Sequence, residues 1–141
     1  IMKFFVAFNI CCVLFMPTAW ACKGLAFQQA FVREPPPSAN VAAAYGMFVN
    51  HSSKTLVINQ FSSTAFGGVE LHEMRMRGDT MQMRALPQLT IKPHQTVKLE
   101  RGGLHLMLFR PQKAITASDT VSVTASCGKS VTSFIVPVQR L

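Results

Sequence analysis

Short apolar stretches separated by polar turns make up most of the chain after its first twenty residues. They are rich in Val, Ile, Phe and Thr, and none follows the 3.6-residue period of a long amphipathic helix. The stretches cover residues 25–32, 41–50, 55–61, 69–76, 81–85, 96–99, 104–109, 120–126 and 130–138. This pattern predicts an all-β domain, either a β-sandwich or a small barrel.

Breaker residues mark the turns between these strands. Pro35-Pro36-Pro37 ends the first predicted strand, Gly67-Gly68 opens the strand that carries His72, and Arg101-Gly102-Gly103 precedes His105. No linker, repeat or low-complexity tract divides the chain after residue 21. We therefore expect a single domain over residues 22–141.

The beginning of the chain is predicted to be a secretory signal peptide. Met2 and Lys3 precede an apolar run over residues 4–15, and the small residues Ala19 and Ala21 stand just before Cys22. The run is shorter than the roughly 20 apolar residues of a spanning helix, which favours a leader cleaved after Ala21.

Cys22 and Cys127 remain once this leader is removed. In an oxidising compartment such a pair favours a disulfide that ties the N-terminus to a late hairpin, with two free thiols as the alternative. Cys22 in first position also raises the question of a lipoprotein. Ala19 and Trp20 depart from the residues that usually precede a lipidated cysteine, so lipidation is the less favoured interpretation.

Charge and acidic content exclude several classes of function. Loss of Lys3 with the leader lowers the formal charge from +8 to +7, and the basic residues are scattered rather than interleaved with aromatics. This scattered excess of basic residues favours docking to an acidic partner or membrane surface over nucleic-acid binding. The sequence has six acidic residues, with no paired carboxylates, nucleophile elbow or phosphate loop, so we do not expect an enzyme.

Four residues form the strongest candidate for a binding site. His72, Met83, His105 and Met107 follow one another with gaps of ten, twenty-one and one residues. Two imidazoles and two thioethers form a neutral, soft ligand set that suits monovalent copper. Because side chains alternate along a strand, His105 and Met107 share one face.

A hairpin is predicted to bring the first two of these residues close together. The turn Arg77-Gly78-Asp79-Thr80 gives one register whether two or four residues form the loop. That register places Met76 opposite Met81, Met74 opposite Met83, and His72 opposite Ala85. His72 is then diagonal to Met83, within reach of long side chains.

Further methionines surround these candidates, and packing is the simplest role for any one of them. Five of the six methionines after residue 21 fall between Met74 and Met107, which favours metal binding. Met74 is a candidate auxiliary ligand, whereas an apolar collar is favoured for Met76 and Met81. The remaining histidines, His51 and His94, belong to turn segments and are not counted as ligands.

These residues resemble the PCuAC-type periplasmic copper chaperones. The matching segments are 69–74, 81–84 and 102–108, which reproduce the family's His-X10-Met-X21-His-X-Met pattern, together with 31–36 and 40–45 upstream. The resemblance covers about residues 27–138. Cys22 and Cys127 are not part of that pattern.

The resemblance implies a cupredoxin-like Greek-key β-sandwich or barrel that binds Cu(I). It further implies a periplasmic location and delivery to the dinuclear copper centre in subunit II of cytochrome c oxidase, often alongside a thioredoxin-like copper chaperone. Two alternatives stay open. One is a blue-copper electron-transfer protein, which would need a cysteine ligand; the other is a metal-free secreted β-domain that acts by protein contact.

Overall fold

The structure, a computed structural model, describes residues 22–141, so the predicted signal peptide lies outside the described residues. The described part of the chain is built from β-strands, and within it no helix is long and apolar enough to cross a membrane. The strands are β1 (Leu25–Arg33), β2 (Val41–Asn50), β3 (Leu56–Ile58), β4 (Gln60–Ser62), β5 (Phe66–Arg77), β6 (Thr80–Leu86), β7 (Leu89–Ile91), β8 (Thr96–Leu99), β9 (Leu104–Pro111), β10 (Thr120–Cys127) and β11 (Ser130–Gln139).

Seven of these strands close into a barrel. They are hydrogen-bonded in the order β1-β11-β10-β4-β5-β9-β2, and β2 pairs back to β1. The β1–β11 pair is parallel and the other pairs are antiparallel. Strand β6 extends the sheet from β5, β8 extends it from β2, and β3 pairs with β7 in a separate small sheet. The predicted all-β architecture is confirmed.

Side-chain alternation along β5 and β9 separates the barrel core from one outer face. Val69 and Leu71 of β5 and Leu106 and Leu108 of β9 are buried in the core. The residues between them project from the opposite side of the same strands. The apolar core therefore fixes the position of every side chain on that outer face, because a slip of one residue would exchange the two sides.

The strand predictions are wrong at three places. Gly67 and Gly68 lie inside β5 rather than before it, because the pairing with β9 extends back to Phe66. The side chain of Arg110 packs where their Cβ atoms would be, and its Nη2 donates to the Gly67 carbonyl at 3.0 Å. The stretch 55–61 divides into β3 and β4 at Asn59, whose backbone N–H donates to the Ser126 carbonyl. Strand β7, which pairs with β3, was not predicted.

A disulfide joins Cys22 to Cys127, with 5.5 Å between their Cα atoms. Cys22 is buried in the core just before β1, and Cys127 is the last residue of β10. The bond ties the beginning of the described chain to the β10–β11 hairpin.

Candidate metal centre

Two histidines lie side by side on the outer face of the barrel. The β5–β9 register places His72 directly opposite His105, and their ring centroids are 6.0 Å apart. His105 is buried and the side chain of His72 is only 13% exposed. Since metal–imidazole bonds are about 2.0 Å long, this separation suits one ion held between the two rings.

Glu70 fixes the orientation of the His72 ring. The Nε2 of His72 lies 2.7 Å from Oε2 of Glu70, and because an ionised carboxylate can only accept, Nε2 is the donor. In the neutral ring the lone pair is then on Nδ1. This Nδ1 is buried and has no hydrogen-bond partner. A buried acceptor without a partner is costly, and a metal ion at this atom would satisfy it.

A backbone carbonyl orients the second ring in the same way. The Nδ1 of His105 lies 3.1 Å from the carbonyl oxygen of Gly103, so Nδ1 carries the hydrogen and Nε2 carries the lone pair. Histidines that bind metals commonly donate their other N–H to a carboxylate or a backbone carbonyl. Each histidine of the pair has one of these two partners.

The two predicted methionine ligands differ in their distance from the histidine pair. Met107 is two residues beyond His105 on the same face, and it pairs with Glu70 across β5 and β9. Met83, on β6, pairs with Met74 of β5 and is diagonal to His72, so the predicted hairpin register is confirmed. Met107 is thus on a strand that carries one of the histidines, whereas Met83 lies on the neighbouring strand β6.

The structure therefore places His72, His105 and Met107 on one face of two paired strands, with Met83 at the margin. Met83 is 47% exposed, which leaves its side chain free to turn toward His72. Met74 lies on the same face as His72, two residues further along β5, and its backbone N–H donates to the Gly103 carbonyl at 3.2 Å. Among residues 22–141, His, Cys, Asp and Glu side chains form no group of three or more that could hold a metal ion.

Aromatic rings and a groove border the histidine pair. The ring centroid of Phe109 is 5.9 Å from that of His72, and the ring centroid of Tyr45 is 6.3 Å from that of His105. Met107 and Tyr45 also line a groove of about 1070 Å³, together with the segment 35–37. One side of the centre is thus apolar, and another side opens to solvent beside Met107.

Glu70 and the Gly103 carbonyl are the functional groups that the sequence analysis missed. The signal for Glu70 was present, because a residue two positions before His72 on a strand must share its face. Glu73, the next residue after His72, belongs to the other face of β5 and pairs with Arg84, whose Nε lies 3.2 Å from the Glu73 Oε2.

The fold is that of solved copper-protein domains. The copper-bound PCuAC domain from PmoF2 superposes with a TM-score of 0.69 at 16% identity, over 84% of this chain and 94% of that chain. The solution structure of CuI-DR1885 from Deinococcus radiodurans superposes with a TM-score of 0.65 at 24% identity, over 84% of this chain and 81% of that chain. The solution structure of apo-DR1885 superposes with a TM-score of 0.64 at 22% identity, over 99% of this chain and 97% of that chain. These similarities define a cupredoxin-like fold of the PCuAC type.

Residues 25–138 match the LpqE-like lipoprotein family, and the chain belongs to that family. A lipoprotein family indicates an extracytoplasmic protein. No curated protein matches the chain significantly in sequence.

Proposed function

We propose that this protein is a periplasmic copper chaperone that binds one Cu(I) ion on the outer face of β5, β6 and β9. The ligands are His72, His105, Met107 and Met83. The observation that carries the proposal is the buried Nδ1 of His72, which lacks a hydrogen-bond partner, on a ring whose centroid is 6.0 Å from that of His105.

The donor chemistry of this face favours monovalent copper. Two neutral imidazole nitrogens and two thioether sulfurs bring no charge, and soft sulfur ligands select Cu(I). Thioethers need no deprotonation, so binding through them releases no protons. A carrier with such ligands holds copper without the stronger attachment of a thiolate.

Exposure at the margin of the site supports transfer by ligand exchange. Met83 is accessible on one side, and Met107 borders the groove on the other. An acceptor can displace these two ligands before the more buried histidines release the ion. Only the two methionine bonds need to break first, which gives a stepwise route out of the site.

The acceptor is proposed from the family resemblance. It points to the dinuclear copper centre in subunit II of cytochrome c oxidase, with a thioredoxin-like copper chaperone acting alongside. Copper is named in two of the solved structures of this fold, CuI-DR1885 and the PmoF2 domain, which supports the choice of cargo. The protein is proposed to act as a carrier and not as an enzyme.

The disulfide argues against the blue-copper alternative. Such a centre needs a cysteine thiolate beside two histidines, and both cysteines of residues 22–141 are bonded to each other. Cys127 also ends β10, away from the strands that carry the histidines.

Anaerobic titration with Cu(I) against a chromogenic chelator tests the proposal, followed by X-ray absorption to count the neighbours of the metal. We expect one tightly held ion with two nitrogen and two sulfur neighbours. The double variant H72A/H105A should lose this ion, and H51A/H94A, which changes two histidines in turns, should keep it. No copper binding by the unaltered protein would favour the metal-free alternative and overturn the proposal.

A further inference from the structure

The hairpin of β5 and β6 continues beyond the barrel as an arm. The last β5–β9 pair is Glu73 with Leu104, whereas the pairing of β5 with β6 continues to Arg77 and Thr80. We call residues 74–83 the methionine arm. Its register pairs Met74 with Met83 and Met76 with Met81.

Four thioethers therefore occupy the corners of a rectangle on one face of the arm. Directly paired residues have Cβ atoms about 5 Å apart, and alternate residues on one strand are about 6.6 Å apart. Methionine has three rotatable bonds, so sulfurs at three neighbouring corners can converge on one ion.

Core packing does not explain these methionines. None of the four belongs to the buried core, and Met76, Met81 and Met83 are 58%, 50% and 47% exposed. The other face of the arm presents polar side chains, among them Arg75 paired with Gln82 and Arg77 paired with Thr80. A solvent-exposed hairpin gains little from a cluster of thioethers unless the sulfurs bind something.

We propose that the methionine arm binds a second Cu(I) ion, using Met74, Met76 and Met81, because Met83 belongs to the first site. Three neutral sulfurs form a soft ligand set for monovalent copper. This second site lacks histidine and is more exposed, so it binds the ion more weakly than the histidine site does. It lies next to the histidine site, in the position of a loading site from which copper moves inward. That loading role rests on the proposed function, whereas binding at the arm does not.

The test is an anaerobic titration of the protein with Cu(I), followed by NMR of labelled methionine methyl groups and histidine rings. We expect the first equivalent to shift His72, His105 and Met107, and the second to shift Met76 and Met81. The double variant M76L/M81L should keep the first ion and lose the second, so that the stoichiometry falls from two to one. The matched control Met47→Leu, which changes a methionine of β2 outside the arm, should still bind two.

Two results would overturn the inference. The inference fails if the methyl signals of Met76 and Met81 do not shift through two equivalents of Cu(I). It also fails if all signals shift together with the first equivalent, because that result indicates one shared ion. If the arm methyls respond while the histidine rings do not, the proposed function fails and binding at the arm stands. Exposed methionine and leucine are close in size, so circular dichroism should show an intact fold in each variant.

Discussion

His72 and Glu70 lie on one face of β5, and the 2.7 Å contact between Nε2 and Oε2 leaves the other nitrogen of His72 buried and without a partner. The carboxylate thus determines which ring nitrogen is available to a metal. This contact and the ring of His105 on the opposite strand are the two observations that make these residues a candidate ligand set.

Replacing the two proposed methionine ligands should weaken copper binding without unfolding the protein. In M83L/M107L the sulfurs are lost while the apolar volume is kept. We expect Cu(I) affinity to fall by ~100-fold or more. Loss of a residue that only hydrogen-bonds to a metal ligand typically costs ~10–100-fold, and loss of the ligands themselves should cost more. Competition with a chromogenic Cu(I) chelator measures the change. An affinity equal to that of the unaltered protein would show that neither Met83 nor Met107 is a ligand.

Glu70→Gln should weaken Cu(I) binding by ~10-fold or more, in the range measured for partners that orient ligating histidines. The amide can present its NH₂ group to His72 and thereby favour the wrong ring tautomer. Glu73→Gln is the matched control, because Glu73 is on the same strand but pairs with Arg84 on the other face. Chelator competition on both variants is the measurement. Equal losses in the two variants would show that the effect is not specific to the Glu70–His72 contact.

Breaking the disulfide should destabilise the fold and leave the metal centre in place. Cys22 and Cys127 are 105 residues apart in sequence, and a closed loop of that size is worth about 2–5 kcal/mol. Urea unfolding of the protein with and without a reductant gives the difference. The variant C22S/C127S should show the same loss and no further response to reductant. A strong loss of copper affinity in this variant, under conditions in which it is still folded, would contradict the independence of the disulfide and the metal centre.

Stability should depend on Glu34 at neutral pH and not in acid. The side chain of Arg140, whose Nε lies 2.6 Å from Oε2, holds the pKa of Glu34 below its usual value, with help from the Ala117 N–H. Because its pKa is lowered in the folded protein, Glu34 stabilises the fold at pH values above its usual pKa. This stabilisation is lost as the pH falls through the lowered pKa.

Glu34→Gln should therefore lower the urea midpoint at pH 7 and have little effect at pH 2. Glu100→Gln, which removes an exposed contact with Lys98, is the comparison and should change the midpoint less at pH 7. An equal effect of Glu34→Gln at both pH values would show that ionisation of Glu34 does not contribute.

The β5–β6 hairpin could be predicted because its information is local. The turn at Gly78-Asp79 fixes the register, and alternation then determines which side chains share a face. The facing of His72 and His105 could not be obtained in that way, since it depends on how β5 and β9 meet in the closed barrel. Alternation showed only that His105 and Met107 belong together.

The missed strand has a similar cause. Leu89–Ile91 is only three residues long and stands between Pro87 and Pro93, so by itself it resembles a loop. It is a strand because β3 pairs with it and both ends bury apolar side chains. The split of 55–61 follows from the same pairing, since β3 pairs with β7 while β4 pairs with β10.

The bond between Cys22 and Cys127 also affects how this chain can be attached to a membrane. A lipoprotein carries its acyl tether on the sulfur of a cysteine, and that atom of Cys22 is already occupied by its bond to Cys127. One sulfur cannot serve both purposes. A molecule folded as described here can be anchored only through something other than Cys22, and an acylated molecule would leave Cys127 as a free thiol.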